Sequence, residues 1–218
     1  MTARPLSPAD QALLEAADHG DVDAVRTALT AGAALEARDA QGRTPLLRAA
    51  LADRVAVARL LVEAGADVNA RDSRLNTPWL VTGITGSVPM MRALLPGGPD
   101  LTRRNRYGGV SVIPAAERGH VVYVRAVLAE TAIDVDHVND LGWTALLEAV
   151  LLGDGGQAHR EIVEVLLTHG ADPHLPDADG VTARAHAERR GFHTIAAALR
   201  TAEAGAEAAR NDGTGTTG

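Results

Sequence analysis

The 218-residue chain contains no cysteine and no lysine. The first absence removes disulfides, thiolate zinc sites and cysteine nucleophiles. The second removes Schiff-base amines, the lysine of the phosphate-binding GxxxxGK[ST] loop and the kinase lysine. Arginine supplies all 21 basic side chains, and the net charge is −7. An acidic chain lacks the overall attraction that nucleic-acid binding draws on. Aromatic residues number only five: two Trp, two Tyr and one Phe. No apolar run approaches the roughly 20 residues of a membrane helix. The opening MTARPLSPAD has no signal-peptide pattern. No GxSxG and no HExxH occurs, and none of the eight histidines has the paired spacing of a zinc site. These absences predict a cytoplasmic protein with no cofactor, no metal, and no nucleic-acid or membrane partner.

What is present is a repeat. The stretch DAQGRTPLLRAALADRVAVARLLVEAGADVN, residues 39–69, holds a turn, then Thr44-Pro45, two apolar helical runs and Gly65-Ala66-Asp67. A threonine before proline marks a helix start: the hydroxyl accepts from orphan backbone N–H groups, and Pro fits the first helical position. Gly65 stands where a left-handed cap ends a helix. The Thr44 position recurs as Thr77, Val110, Thr144 and Thr182, at spacings of 33, 33, 34 and 38 residues. Gly65 recurs as Gly32 and Gly170, and the turn glycine Gly42 as Gly108, Gly142 and Gly180.

A period near 33 with Thr-Pro-Leu opening a helix resembles the ankyrin repeat. GRTPLLRAA with LLVEAGADVN, and GWTALLEAV with VEVLLTHGAD, carry the resemblance most clearly. GGVSVIPAAERGHV, HVNDLGWTALLEAVLLGDGG and LPDADGVTARAHAERRG extend it to small single-domain bacterial ankyrin-repeat proteins, a group without a general assigned activity. The resemblance implies an all-α solenoid of about six helix-turn-helix repeats with short β-hairpin-like loops. Repeats are expected at 9–38, 39–71, 72–104, 105–136, 137–176 and 177–200, after a leader at 1–8 and before a disordered tail at 201–218.

Individual repeats carry their own signals. Ser7-Pro8 reads as a capped helix start. Leu13, Leu14, Ala17, Val25, Ala28 and Leu29 have the spacing of a buried stripe. The third repeat departs most: Leu75 replaces the turn glycine, Pro89 falls in the first turn of the second helix, and Pro96-Gly97-Gly98-Pro99 ends that helix early. Trp79 there is either a core filler or part of a widened groove. In the fifth repeat, Asp154-Gly155-Gly156-Gln157-Ala158 is inserted, which lengthens the link between helices. His120 and His159 occupy one repeat position, where a scaffold hydrogen bond is expected.

Two functional readings follow. The resemblance implies a non-catalytic protein-binding module whose concave groove is lined by the tips and first helices. By position those residues are Arg38, Gln41 and Arg43; Arg71, Arg74 and Asn76; Arg104, Arg106 and Tyr107; Leu141 and Trp143. Arg, Tyr and Trp are the types enriched at binding hot spots. An Arg at 38, 71 and 104 suggests a locally acidic protein partner, bound by a monomer. The alternative is a small-molecule or anion-binding protein, or an enzyme, centred on the inserted link. Gly155 and Gly156 would offer N–H groups to an anion, and Glu148, Asp154 and His159 would supply acid–base groups. Asp-Gly-Gly is equally a plain turn.

Overall fold

In the computed structural model, residues 5–212 are described. The chain divides by packing into two units, Met1–Arg106 and Tyr107–Gly218. Each is built from helix pairs.

The first unit contains α1 (Pro8–His19), α2 (Val22–Thr30), α3 (Pro45–Leu51), α4 (Val55–Glu63), α5 (Pro78–Thr85) and α6 (Val88–Leu94). Within it α1 packs on α3 and α3 on α5, while α2 packs on α4 and α4 on α6. First helices thus form one layer and second helices another. Ser7 caps α1 with a full capping box: its hydroxyl accepts from the Asp10 N–H, and the Asp10 carboxylate accepts from the Ser7 N–H. Thr44 and Thr77 accept from the N–H groups of Leu47 and Leu80, with Pro45 and Pro78 opening the helices. Gly65 has φ +91° just past α4, in the left-handed region that the sequence reading assigns it. The core contains Leu13, Leu14, Val25, Leu47, Leu61, Met90, Met91 and Leu94. Of the stripe expected in the first repeat, only Leu29 stays half-buried. Trp79 is 1% exposed and fills this core. Pro89 sits in the first turn of α6, and a 3-10 turn at Leu95–Gly97 replaces the end of that helix.

The second unit contains α7 (Val112–Glu117), α8 (Val121–Glu130), α9 (Ala145–Leu151), α10 (Gln157–Thr168), α11 (Ala183–Arg189) and α12 (His193–Asp212). Here α7 packs on α9 and α9 on α11, with α10 bridging α8 and α12. Thr144 and Thr182 cap α9 and α11. Val110 has no oxygen to do so, and α7 starts one residue later than the pattern, is six residues long and has no side-chain cap. Tyr123, Val127, Leu147, Ile162, Val163, Leu166 and Leu199 form the core.

Two expectations meet a different arrangement. The inserted segment does not lengthen the link alone: Gln157 and Ala158 become the first residues of α10, which runs 12 residues against nine in α4. The expected disordered tail begins at Thr201, yet α12 continues to Asp212. Alanine and glutamate between Ala202 and Ala208 are strong helix formers, which accounts for the continuation. Residues 213–218, like residues 1–4 of the leader, lie outside the described residues. No helix among the described residues is long and apolar enough to cross a membrane. The hairpin-like loops are turns rather than ladders, with one isolated bridge, Pro176 to Thr182, among the described residues.

Candidate functional site

Each well-formed repeat tip is organised by one Asx side chain. Asp39 Oδ1 accepts from the N–H groups of Gln41 and Arg43, both at 2.9 Å. Asp72 does the same for Arg74 and Asn76 at 2.8 Å, Asn139 for Leu141 and Trp143 at 3.0 Å, and Asp177 for Asp179 and Val181. A short acceptor side chain that reaches back to the backbone two and four residues on locks the turn without a strand partner. Adjacent tips are then stitched edge to edge. The Ser73 N–H donates to Gln41 O at 2.9 Å in the first unit, and the Asp140 N–H donates to Tyr107 O at 2.9 Å in the second.

The remaining atom of each Asx differs, and the difference sets the local chemistry. Asp39 Oδ2 takes the Arg43 Nε–H at 2.7 Å, and Asp72 Oδ2 takes the Asn76 amide at 3.1 Å. The Asn139 amide donates to Glu148 Oε1 at 2.8 Å, and His186 Nε2 meets Asp177 Oδ2 at 2.6 Å. Burial tends to raise the Asp39 carboxyl, but the Arg43 and Gln41 N–H groups and the Arg43 charge hold it below its ordinary value. Asp177 is held low by the Val181 N–H and then by His186. Glu148, 6% exposed, goes the other way. Burial first, and then the charge of Glu117, push its carboxyl up to about 7, against the opposing Asn139 amide and Arg118.

The predicted groove residues divide by what they already hold. Arg38 is exposed but engaged: its guanidinium donates to Gly42 O at 2.9 Å and to Arg71 O at 2.6 Å, which ties the end of the first repeat to the second. Arg43 is held by Asp39 and by Gln41 Oε1. Asn76 is half-buried on Asp72. Arg71, Arg74 and Arg104 are exposed, and among the described residues no carboxylate pairs with them. Arg106 is exposed. In the second unit Tyr107 is 53% and Leu141 50% exposed, on tips joined by the Asp140 to Tyr107 bond, and Trp143 is half-buried beside them.

The alternative ligand link is occupied by its own side chains. Asp154 Oδ1 accepts from the Gly156 N–H at 2.8 Å and from His159 Nδ1 at 2.9 Å. Those two contacts, the N–H first, hold its carboxyl below the ordinary range. The start of α10 thus already has an anion, supplied in cis. His159 Nε2 donates to Glu117 O at 3.0 Å. Gly155 is buried with φ +70°, and a Cβ there would run into the Phe192 ring. His159 thereby becomes a strut between repeats, as the shared position with His120 suggests. Arg54 and Arg190 serve as further struts: Arg54 Nε donates to Asp18 O at 2.9 Å, and Arg190 donates to Val150 O and Leu151 O at 2.6 Å. Glu148 lies on α9, bonded to the tip rather than to the link. Among the described residues no group of His, Asp and Glu is arranged to hold a metal ion.

Sequence reasoning missed Leu75 as a surface feature, although its place at a turn-glycine position was visible. It is 42% exposed with φ +63°. Val138, which stands where Arg38 stands, is also exposed.

Comparison with known proteins gives one consistent result. Residues 5–72 and 81–177 match the family described as ankyrin repeats (three copies). The chain is 43% identical over 192 residues to the ankyrin repeat protein YahD of Escherichia coli (strain K12), covering 88% of this chain and 94% of that one. It is similar to the crystal structure of an ankyrin repeat domain from Acinetobacter baumannii AYE, with TM-score 0.83, 45% identity, and coverage of 87% of this chain and 96% of that one. The ankyrin repeat domain of Bcl-3, described as a unique member of the IkappaB protein family, is similar at TM-score 0.78 and 28% identity, covering 88% of this chain and 85% of that one.

Proposed function

The chain belongs to the ankyrin-repeat family, and from that premise we propose that it is a non-catalytic protein-binding module working through its tips and first helices. One observation carries the reading. Tyr107 and Leu141 are each about half exposed, on tips joined by the 2.9 Å bond from Asp140 N to Tyr107 O. The Leu141 turn is held by Asn139 and by Gly142, so the leucine side chain is not what fixes it. An exposed aromatic and a leucine on a rigid backbone make good anchors: little ordering cost accompanies binding. Trp143 adds apolar surface next to them. In the first unit, Arg71, Arg74 and Arg104 are exposed with no carboxylate partner among the described residues, which favours a locally acidic partner for that unit's tips.

Two arrangements support a binding role over catalysis. The acid–base groups of the fifth repeat are turned to structural bonds: Asp154 and His159 to each other, and Glu148 to Asn139. Fold alone names no activity, so the reading stands on these surfaces.

The test is affinity capture from cells of the source organism, with wild-type protein beside the Tyr107→Ala, Leu141→Ala double variant. A protein enriched by the wild type and lost with the variant supports the reading. A protein captured equally by both argues against these tips as the binding surface.

A further inference from the structure

Among the described tips, one breaks the rule that the others obey. The residue three after the tip-organising Asx is Gly42, Gly142 and Gly180 in the tips of Asp39, Asn139 and Asp177, with φ between +74° and +79°. In the third repeat it is Leu75, with φ +63°. The turn around it is unchanged: Asp72 Oδ1 still accepts from Arg74 and Asn76, and the Leu75 N–H still donates to Asp72 O at 3.1 Å. A leucine in the left-handed region is strained, because its Cβ crowds the carbonyl. Core burial does not compensate, since the side chain is 42% exposed. Local strain retained at an exposed apolar residue points to use of that residue.

Its electrostatic surroundings narrow the use. Arg74 adjoins it, Arg71 precedes the same turn, and Arg104 follows one repeat on. All three are exposed and, among the described residues, have no carboxylate partner. The neighbouring tip is different, because Arg43 is neutralised there by Asp39 at 2.7 Å. The Asp72 carboxylate is buried and turned to its own loop. The third tip is therefore an apolar point in a cationic rim on a chain of net charge −7.

We propose that the Leu75 tip docks an acidic peptide segment bearing an apolar side chain, with Leu75 making the apolar contact and Arg71, Arg74 and Arg104 pairing the carboxylates. This rests on the protein-binding reading above and names the chemistry of what binds. Charge complementarity selects acid, and the leucine selects a peptide side chain over a phosphate backbone.

The test selects binders of the full-length protein from a displayed library of random peptides. The winning peptide is then synthesised with a fluorophore and titrated by anisotropy. Selected sequences are expected to place Asp or Glu around an apolar residue. Leu75→Gly should raise the melting temperature, by releasing strain, and weaken binding by about tenfold or more. Arg71→Gln with Arg74→Gln should weaken it similarly and flatten its salt dependence. A peptide that binds Leu75→Gly as tightly as wild type overturns the proposal. If binding depends on Tyr107 and Leu141 and not on Leu75, the proposal fails while the protein-binding reading stands. A library that yields no binder contradicts both. A labelled single-stranded oligonucleotide that binds through the same arginines would overturn the assigned partner class.

Discussion

The Asn139 side chain holds the tip of the fifth repeat with its oxygen and the buried Glu148 carboxylate with its nitrogen, at 2.8 Å. A titratable group is thereby wired to the loop that displays Leu141 and Trp143. Burial and Glu117 push the Glu148 carboxyl up to about 7, from a usual 4.5. The folded protein therefore keeps a proton that the unfolded chain has released between about pH 4.5 and 7. The stability from this group is fully present below pH 4.5 and is lost as pH rises through 7. Glu148→Gln keeps the Asn139 bond and removes the ionisation. Urea denaturation from pH 5 to 8 should show the variant more stable at pH 8, by about 2 kcal/mol, with a flatter pH profile. Parallel profiles would contradict this assignment.

The inserted link is predicted to be structural. Gly155→Ala imposes a left-handed backbone on a Cβ and drives it against Phe192. The expected cost is about 2 kcal/mol in denaturant unfolding. Added phosphate or sulfate should not raise the melting temperature through this segment, because Asp154 already occupies the start of α10. An anion that stabilises the wild type and not Gly155→Ala would restore the ligand reading.

Helix caps distinguish the fourth repeat, where α7 has no side-chain cap, from the repeats whose first helix starts at a Thr. Thr144→Val copies what Val110 does in the fourth repeat and removes the acceptor of the Leu147 N–H. It should destabilise by about 1 kcal/mol, read from the urea midpoint at unchanged slope.

Arg190 closes the carbonyl end of α9 and stacks 4.5 Å from the Phe192 ring centroid. Arg190→Ala should cost about 1–2 kcal/mol. Arg190→Lys should recover only part of that, since an ammonium reaches both carbonyls less well than a planar fork.

The features that could be read from the chain are those written in local backbone chemistry. Thr44-Pro45, Thr77-Pro78 and Gly65 announce helix ends because their side chains, or the lack of one, act within a few residues. The 33-residue period then places the helix pairs. Features that depend on the neighbouring repeat were hidden. Arg38 looks like a free cation in sequence, and only the position of Arg71 O shows that it is a strut. His159 shares a repeat position with His120 that suggests a scaffold bond, but the partner of that bond, Glu117 O, is supplied by the preceding repeat. Glu148 reads in sequence as an acid–base group of the inserted link, and its raised pKa requires knowing that it is buried and that the Glu117 charge faces it. Tyr107, Leu141 and Trp143 were identifiable because position in the repeat decides their exposure. Leu75 was visible as an oddity at a turn-glycine position, but its strain is a property of φ.

The most direct measurement titrates a captured partner against wild-type protein and four single variants: Tyr107→Ala, Leu141→Ala, Trp143→Ala and Val122→Ala. Val122 is also exposed but lies on α8, away from the tips. The three tip variants should each weaken binding, at least one by about tenfold or more, while Val122→Ala leaves it unchanged. Equal affinity across all five proteins, with folding intact by circular dichroism, would contradict the assignment of the tips as the binding surface.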